Sequence, residues 1–361
     1  MRRGLAHALC QTGPVTDETP DPSPPSRWAI WASGLEDRFH RFRERRARKR
    51  GLVPTVIPYS GYGNDGWIRV LCRVLLTKPQ TSATAAKKSI RGWRSFVSIP
   101  VADAAVTVRA DGQEITVRAD RGGVVDAEIP VSLAPGLRSI TLETEGSDPV
   151  SANIYVVNPD ARLGVLSDID DTVMVTALPR PFLAAWNTFV LDEHARRPVP
   201  GMAVLLERIT QEHAGCPVVY LSTGAWNVAP TLDRFMGRHL YPRGTLLLTD
   251  WGPTHDRLFR SGRDHKRESL ERLAREFPAV RWVLVGDDGQ HDEELYRAFA
   301  ESHPENVAAV AIRQLSTPEA VLAGGRRHID APEGAAPWVW APDGAGLAKK
   351  LAQVGILRRY R

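Results

Sequence analysis

Between Trp67 and Val157 the apolar residues come in short alternating runs broken by turn chemistry, a pattern that predicts antiparallel strands. Val106–Asp111 and Ile115–Asp120 nearly repeat one another around Asp111-Gly112, a strong two-residue hairpin signal. Further strands are predicted over 68–76, 124–131, 137–144 and 152–157. So many short strands in one stretch predict a compact β-sandwich. After Asn158-Pro159-Asp160 the pattern changes. Apolar runs at 163–167, 217–221, 245–248, 280–285, 307–312 and 337–340 alternate with helical periodicities over 201–214, 268–276 and 292–302. Continuous apolar strands separated by amphipathic helices predict an α/β fold with a doubly wound parallel sheet.

Ahead of both regions, residues 1–26 are rich in Pro, Ser, Thr, Asp and Glu without any apolar period, and read as a disordered lead. Over 27–50 the period is helical, with Trp28, Trp31, Leu35, Phe39 and Phe42 forming an apolar stripe on an increasingly basic helix. The chain thus divides into a lead (1–26), a basic amphipathic helix (27–50), a β-sandwich domain (51–160) and an α/β domain (161–361).

Composition narrows the class. With 43% apolar and 25% charged residues, and Gly and Pro without a period, the 361-residue chain is neither collagen-like nor wholly disordered. No apolar run reaches the 18 residues of a membrane-spanning helix, and the stretch after Met1-Arg2-Arg3 is too short and polar for a signal peptide. Cys10, Cys72 and Cys216 are too few and too scattered for a disulfide framework, which places the protein in the cytoplasm. Residues 38–50 hold eight basic side chains against Glu44, a local +7 that leaves −2 for the rest of a chain whose net charge is +5. The nearly neutral body speaks against nucleic acid as a partner. The basic helix is either a solvated flank packed on its own domain or a peripheral contact for an anionic membrane.

In a doubly wound sheet the chemistry lies just beyond the carboxyl ends of the strands. Asp168-Ile-Asp170-Asp171-Thr172 follows the first apolar run there, and Ser222-Thr223-Gly224 the second. Lys266 opens the helix before the fourth, and Gly286-Asp287-Asp288-Gly289-Gln290-His291-Asp292 follows it. Clustered carboxylates call for a cation, and an all-oxygen donor set suits Mg²⁺. Adding a lysine, a hydroxyl and a carboxylate nucleophile supplies what phosphoryl transfer requires.

These motifs, DxDxT at Asp168–Thr172, Ser222, Lys266 and the GDxxxxD at Gly286–Asp292, resemble those of the haloacid dehalogenase superfamily. The closer wording at Leu166–Val173, Tyr220–Ser222 with Trp226, Leu248–Gly252, His265-Lys266 and Val285–Asp292 is similar to the actin-patch-type phosphatidate phosphatase catalytic domain, a relative of the lipins. The likeness covers roughly 160–355, and Pro58-Tyr-Ser-Gly-Tyr-Gly63 resembles the N-terminal part of bacterial members. Asp288 replaces the family's usual Ser, and Thr223-Gly224-Ala225 follows Ser222 where a polar-Ser-Pro run is more usual.

The resemblance implies that Asp168 is the nucleophile that becomes an aspartyl-phosphate, and Asp170 the acid and base. It implies Mg²⁺ on Asp168, the Asp170 carbonyl, Asp287 and Asp292, and phosphoryl oxygens bound by Ser222 and Lys266. Arg313, which closes a strand near the site, is a candidate phosphate contact. Thr172 is expected to fix the motif loop by hydrogen bonding, Asp171 and Asp288 to be turn residues, His265 and His291 structural hydrogen-bonders, and Trp226 and Trp251 packing residues. The gaps between Thr172, Ser222 and Lys266 hold 49 and 43 residues, too few for a large cap domain. An open site suits a lipid phosphate such as phosphatidate. Two alternatives stand beside it: a phosphatase for a soluble or protein phosphomonoester, and a membrane- or protein-binding adaptor with a vestigial phosphatase domain.

Overall fold

The computed structural model describes residues 42–79, 99–175, 197–249, 255–289, 291–322 and 336–359. The lead, most of the basic segment, Trp251 and the stretches 176–196 and 250–254, where cap insertions would fall, lie outside the described residues. Of the predicted basic helix, 42–49 is described and is helical (α1). Ala47 is buried there against the β core, while Arg45, Arg46, Arg48, Lys49 and Arg50 are exposed.

The N-terminal region contains β1 (Val53–Pro58), β2 (Gly61–Gly63), β3 (Ile68–Thr77), β4 (Ile99–Pro100), β5 (Ala105–Ala110), β6 (Gln113–Arg118), β7 (Val124–Ile129), β8 (Gly136–Thr144) and β9 (Val150–Val156). They form one continuously hydrogen-bonded set in the order β1-β3-β2-β9-β8-β5-β6, with β4 and β7 also paired to β3. The repeated hexapeptide is the β5–β6 hairpin, in register Val106↔Val117 and Val108↔Ile115. Asp111 and Gly112 both have positive φ, 48° and 72°, the tight-turn conformation that this dipeptide favours. Side-chain alternation on β3 decides which core each residue joins. Ile68, Val70, Cys72, Val74 and Leu76 enter the β core, whereas Leu71, on the other face, packs with the C-terminal region.

In the C-terminal region β10 (Leu163–Asp168), β13 (Val218–Ala225), β14 (Thr245–Thr249), β15 (Arg281–Asp287), β16 (Val307–Arg313) and β17 (Trp338–Ala341) make a six-stranded sheet, ordered β14-β13-β10-β15-β16-β17. Every pairing is parallel. A two-stranded ribbon, β11 (Met174–Val175) with β12 (Arg197–Pro198), stands beside it. The helices are α2 (Met202–Glu212), α3 (Ala229–Arg238), α4 (His255–Glu276), α5 (Asp292–Ser302), α6 (Thr317–Leu322) and α7 (Gly344–Gln353). Helix α2 packs on α7, and α4 on α5. From β10 the chain winds outward through β13 and β14, then returns to the other side of β10 as β15. Strand order therefore reverses between β10 and β15, where α/β sheets open a crevice for ligands.

One expectation needs correction, and one element has no sequence signal. Lys266 does not open a helix but sits midway along α4, which starts at His255; the first half of α4, with Gly262 and a run of charged residues, has no apolar stripe to announce it. The ribbon of β11 and β12 is too short to carry a period.

Candidate active site

The crevice at the reversal is where the acidic residues meet. β10, buried on both faces, ends at Asp168, and its neighbour β15 ends at Asp287. Asp292 begins α5, and Lys266 reaches in from α4. Its Nζ donates to Asp168 Oδ1 at 2.6 Å and to Asp292 Oδ1 at 2.7 Å. One carboxylate oxygen from each of Asp168, Asp287 and Asp292 lies within 4.8 Å of the other two, and all three residues are buried. Gly289 N donates to Asp287 Oδ1 at 2.7 Å, while Asp287 Oδ2 is buried with no hydrogen-bond partner among the described residues.

Electrostatics follow from this crowding. Burial pushes the Asp168 carboxyl well above the usual carboxylate range; Lys266 opposes the shift, and Asp292 and Asp170 add to it. Asp287 is raised in the same way by burial, then by Asp292, Asp168 and Asp171. Lys266 is pulled down by burial, but Asp168 and Asp292 outweigh that and hold its ammonium charged beyond the ordinary lysine value. One ammonium against this many buried carboxylates leaves negative charge in excess, and a buried carboxylate oxygen without a hydrogen-bond partner fits a hard divalent cation with oxygen ligands. Asp168, Asp287 and Asp292 are the side chains placed to hold it.

The second half of the DxDxT motif is set by backbone. Val173 N and Met174 N donate to Ile169 O at 2.9 and 3.1 Å, and Asp171 N donates to Met174 O at 2.8 Å. Asp171 takes φ 57°, a left-handed conformation that Asp tolerates better than most residues. Asp170 is thereby turned to the end of β13, where its Oδ2 accepts from Ser222 Oγ at 3.0 Å. Ser222 Oγ in turn accepts from Gly224 N at 2.9 Å. Thr172 departs from expectation: its hydroxyl is buried without a hydrogen-bond partner among the described residues, so backbone bonds hold the loop instead.

Arg313 is brought near the site, but its terminal nitrogens are engaged elsewhere. Nη1 donates to Asp171 O at 2.6 Å and Nη2 to Glu319 Oε1 at 2.7 Å, so the guanidinium braces the motif loop. Asp288 accepts from Leu315 N at 2.8 Å, which ties the residues after β15 to those after β16. His265 bonds the Leu247 backbone, and burial pulls its pKa down to about 4, so its ring is neutral at pH 7. Trp226 is buried and stacked on Tyr59 at 4.7 Å, as a packing residue should be.

Three supporting residues escaped the sequence reading. Thr249 Oγ1 donates to the carbonyls of Thr223 and Gly224 at 2.9 and 3.2 Å, pinning the segment after Ser222. Tyr296, buried one turn after Asp292, donates from its hydroxyl to Val285 O at 3.0 Å. Tyr59 donates to Trp226 O at 3.1 Å. Thr249 and Tyr296 did carry a signal, a hydroxyl at a strand end and an i+4 position after a motif aspartate. Tyr59 carried only its place in the Tyr-Ser-Gly-Tyr-Gly run.

Residues 163–314 match the family described as the catalytic domain of phosphatidate phosphatase APP1. Phosphatidate phosphatase APP1 of Saccharomyces cerevisiae is 25% identical over 185 residues, covering 50% of this chain and 31% of that protein. An uncharacterized protein of Schizosaccharomyces pombe is 25% identical over 154 residues, 42% of this chain and 25% of its own. The chain thus spans less than a third of the length of these curated relatives. Among solved structures, a carbohydrate acetylesterase from Xanthomonas citri aligns over 75% of this chain and 73% of its own, at 10% identity and a TM-score of 0.26, a likeness too slight to bear on fold or function. Asp168, Asp170, Ser222, Lys266, Asp287, Asp292 and Arg313 all lie inside the span, 163–314, that matches the catalytic domain family of phosphatidate phosphatase APP1.

Proposed function

We propose that the protein is a Mg²⁺-dependent phosphatase with a haloacid dehalogenase-like site, acting on phosphatidate or a related lipid phosphomonoester. The observation that carries this reading is the Lys266 ammonium bridging Asp168 and Asp292 beside the orphaned oxygen of Asp287. Asp168 Oδ attacks phosphorus, and the ester oxygen leaves with a proton from Asp170. The aspartyl-phosphate is then opened by a water whose proton returns to Asp170, so acid and base are one group in turn. Ser222, already bonded to Asp170, and Lys266, at the nucleophile, are the donors for phosphoryl oxygens as charge builds. Asp168, Asp287 and Asp292, with the Asp170 carbonyl, would hold a divalent cation, which would supply charge neutralisation to the site.

The lipid assignment draws on the substrate in the name of the matched family, phosphatidate. The exposed Arg45, Arg46, Arg48, Lys49 and Arg50, with Phe42 61% exposed on the same short helix, suit a peripheral contact with anionic lipid. No helix among the described residues is long and apolar enough to cross a membrane. A cytoplasmic enzyme that docks on its substrate's bilayer, with the β-sandwich domain at 51–160 and the catalytic domain at 161–361, is the arrangement proposed. The test is phosphate release from phosphatidate vesicles, nucleotides, sugar phosphates and phosphoproteins, with MgCl₂ and with EDTA. Release that requires Mg²⁺ and favours phosphatidate is expected. Preference for a soluble or protein ester would move the protein to the alternative phosphatase class, and no release from any substrate would favour a vestigial site.

A further inference from the structure

We infer that the N-terminal β region is part of the catalytic unit, and that Tyr59 is a positioning residue for the Ser222–Trp226 segment. The inference rests on the phosphatase reading only for the role of Ser222. The Pro58–Gly63 motif finds its explanation here. Tyr59, between β1 and β2, stacks its ring on Trp226 with centroids 4.7 Å apart and planes 20° from parallel. Its hydroxyl donates to the Trp226 carbonyl at 3.1 Å, a buried bond that spans 167 residues of chain. Trp226 directly follows β13, so this contact fixes the far end of the strand segment that presents the Ser222 hydroxyl.

The rest of the motif holds Tyr59 in place. Gly61 O accepts from Thr245 Oγ1 at 3.2 Å at the start of β14. A side chain at Gly61 would put a Cβ 2.2 Å from Arg69 O, so only glycine allows β2 to lie so close to β3. Tyr62 donates to Glu276 Oε2 at 2.7 Å, at the end of α4. Arg69 adds bonds to Glu276 at 3.1 Å and Asp126 at 2.9 Å, and Arg272 reaches Asp126 at 2.8 Å. Two tyrosines and a charge network thus tie the β region both to α4, which carries Lys266, and to the segment after Ser222.

Within the C-terminal region the same segment is also held by the Ser222–Asp170 bond, by the pairing of Ala225 with Thr249, and by Ala229 N on the Trp226 carbonyl. Thr249 bonds the carbonyls of Thr223 and Gly224, and Gly262 of α4 lies against Thr223, where an added Cβ would be 3.0 Å from the Thr223 Cγ2. Trp226 also borders a cavity of about 480 Å³ between the two regions, so packing on that side is incomplete. Tyr59 is what closes the segment from the β side.

The experiment uses the full chain with Tyr59→Ala and Tyr59→Phe, followed by hydrogen exchange in peptides covering 222–228, 163–168 and 68–77. A hydrogen bond and a ring stack each shift an opening equilibrium by about fivefold, so Tyr59→Ala is expected to speed exchange in 222–228 by about tenfold or more. Tyr59→Phe keeps the ring, folds in any case where Ala does not, and is expected to give about fivefold for the lost bond. Exchange in 163–168 and 68–77 should stay as in the parent, which general destabilisation would not allow. In parallel, KM for p-nitrophenyl phosphate and Ki for inorganic phosphate should rise by a similar factor while kcat changes less. Unaltered exchange in 222–228 in both variants overturns the inference. A parent protein that releases no phosphate overturns the phosphatase reading alone, since exchange still decides the role of Tyr59.

Discussion

Gly286 is the position where a single methyl group should do most damage to the acidic cluster. It is not among the glycines with positive φ, so alanine meets no backbone strain there and any effect is steric. A Cβ at 286 would lie 2.8 Å from Asp292 Cβ, from Asp292 Oδ2 and from Tyr296 Cε2. Contact distance for such atoms is about 3.5–4 Å, so each must retreat by roughly an ångström. Asp292 and Tyr296 are each 1% exposed, so neither can relieve the contact by turning out into solvent. Overpacking of this kind costs about 1–3 kcal/mol, and each kcal/mol lowers Tm by about 2–4 °C in a protein of moderate size. The retreat of Asp292 also pulls its carboxylate from Lys266 and from Asp287, so Mg²⁺ dependence should shift about 10–100-fold toward higher concentration. Thermal melts of Gly286→Ala with and without MgCl₂, together with a Mg²⁺ titration of phosphate release, read both effects. Gly237→Ala is the control, since nothing lies within 4 Å of a Cβ on that glycine of α3. A Gly286→Ala protein with the parent's Tm and Mg²⁺ midpoint would refute the packing account of the cluster.

Other expectations follow from the same geometry. Asp170→Asn should slow an alkyl phosphate far more than p-nitrophenyl phosphate, whose leaving group needs no proton; equal losses in steady-state rate would remove Asp170 from the acid role. Burial draws the Asp126 carboxyl upward, but Arg272 and Arg69 outweigh it and hold it below the usual range. A depressed carboxyl contributes stability that is present above about pH 4 and lost as pH falls through the folded value, so Tm of the parent should drop more steeply below pH 4 than that of Asp126→Asn. Burial pushes the Cys72 and Cys216 thiols up to about 12, so both should resist iodoacetamide at pH 8 in the native protein and react in urea, as mass spectrometry of the labelled peptides would report.

Much of the catalytic region could be read directly from the chain because its strands are buried on both faces. Runs such as Val283-Leu284-Val285 and Val307–Ile312 are unbroken by polar residues, so their ends, where Asp168 and Asp287 stand, were placed to within two residues. The Asp111-Gly112 hairpin was equally legible, since its turn chemistry is local. What was hidden depends on distance along the chain or on competition for donors. Nothing local tells that Arg313 bonds Asp171 O, 142 residues away, and is thereby engaged by the motif loop. The start of α4 was lost because its first half has no apolar stripe, and the stacking of Tyr59 on Trp226 because two regions had to fold before it existed.

The claim on which the rest depends is that Asp168 becomes covalently phosphorylated. The direct measurement is to mix the protein and Mg²⁺ with substrate carrying a labelled phosphoryl group, quench in acid within a turnover, and map the label by peptide mass spectrometry. The account predicts a hydroxylamine-sensitive phosphoryl group on the peptide containing Asp168, and its absence from Asp168→Asn together with a fall in turnover of about 10⁴ or more. Label on another residue, or Asp168→Asn turning over like the parent, would contradict it.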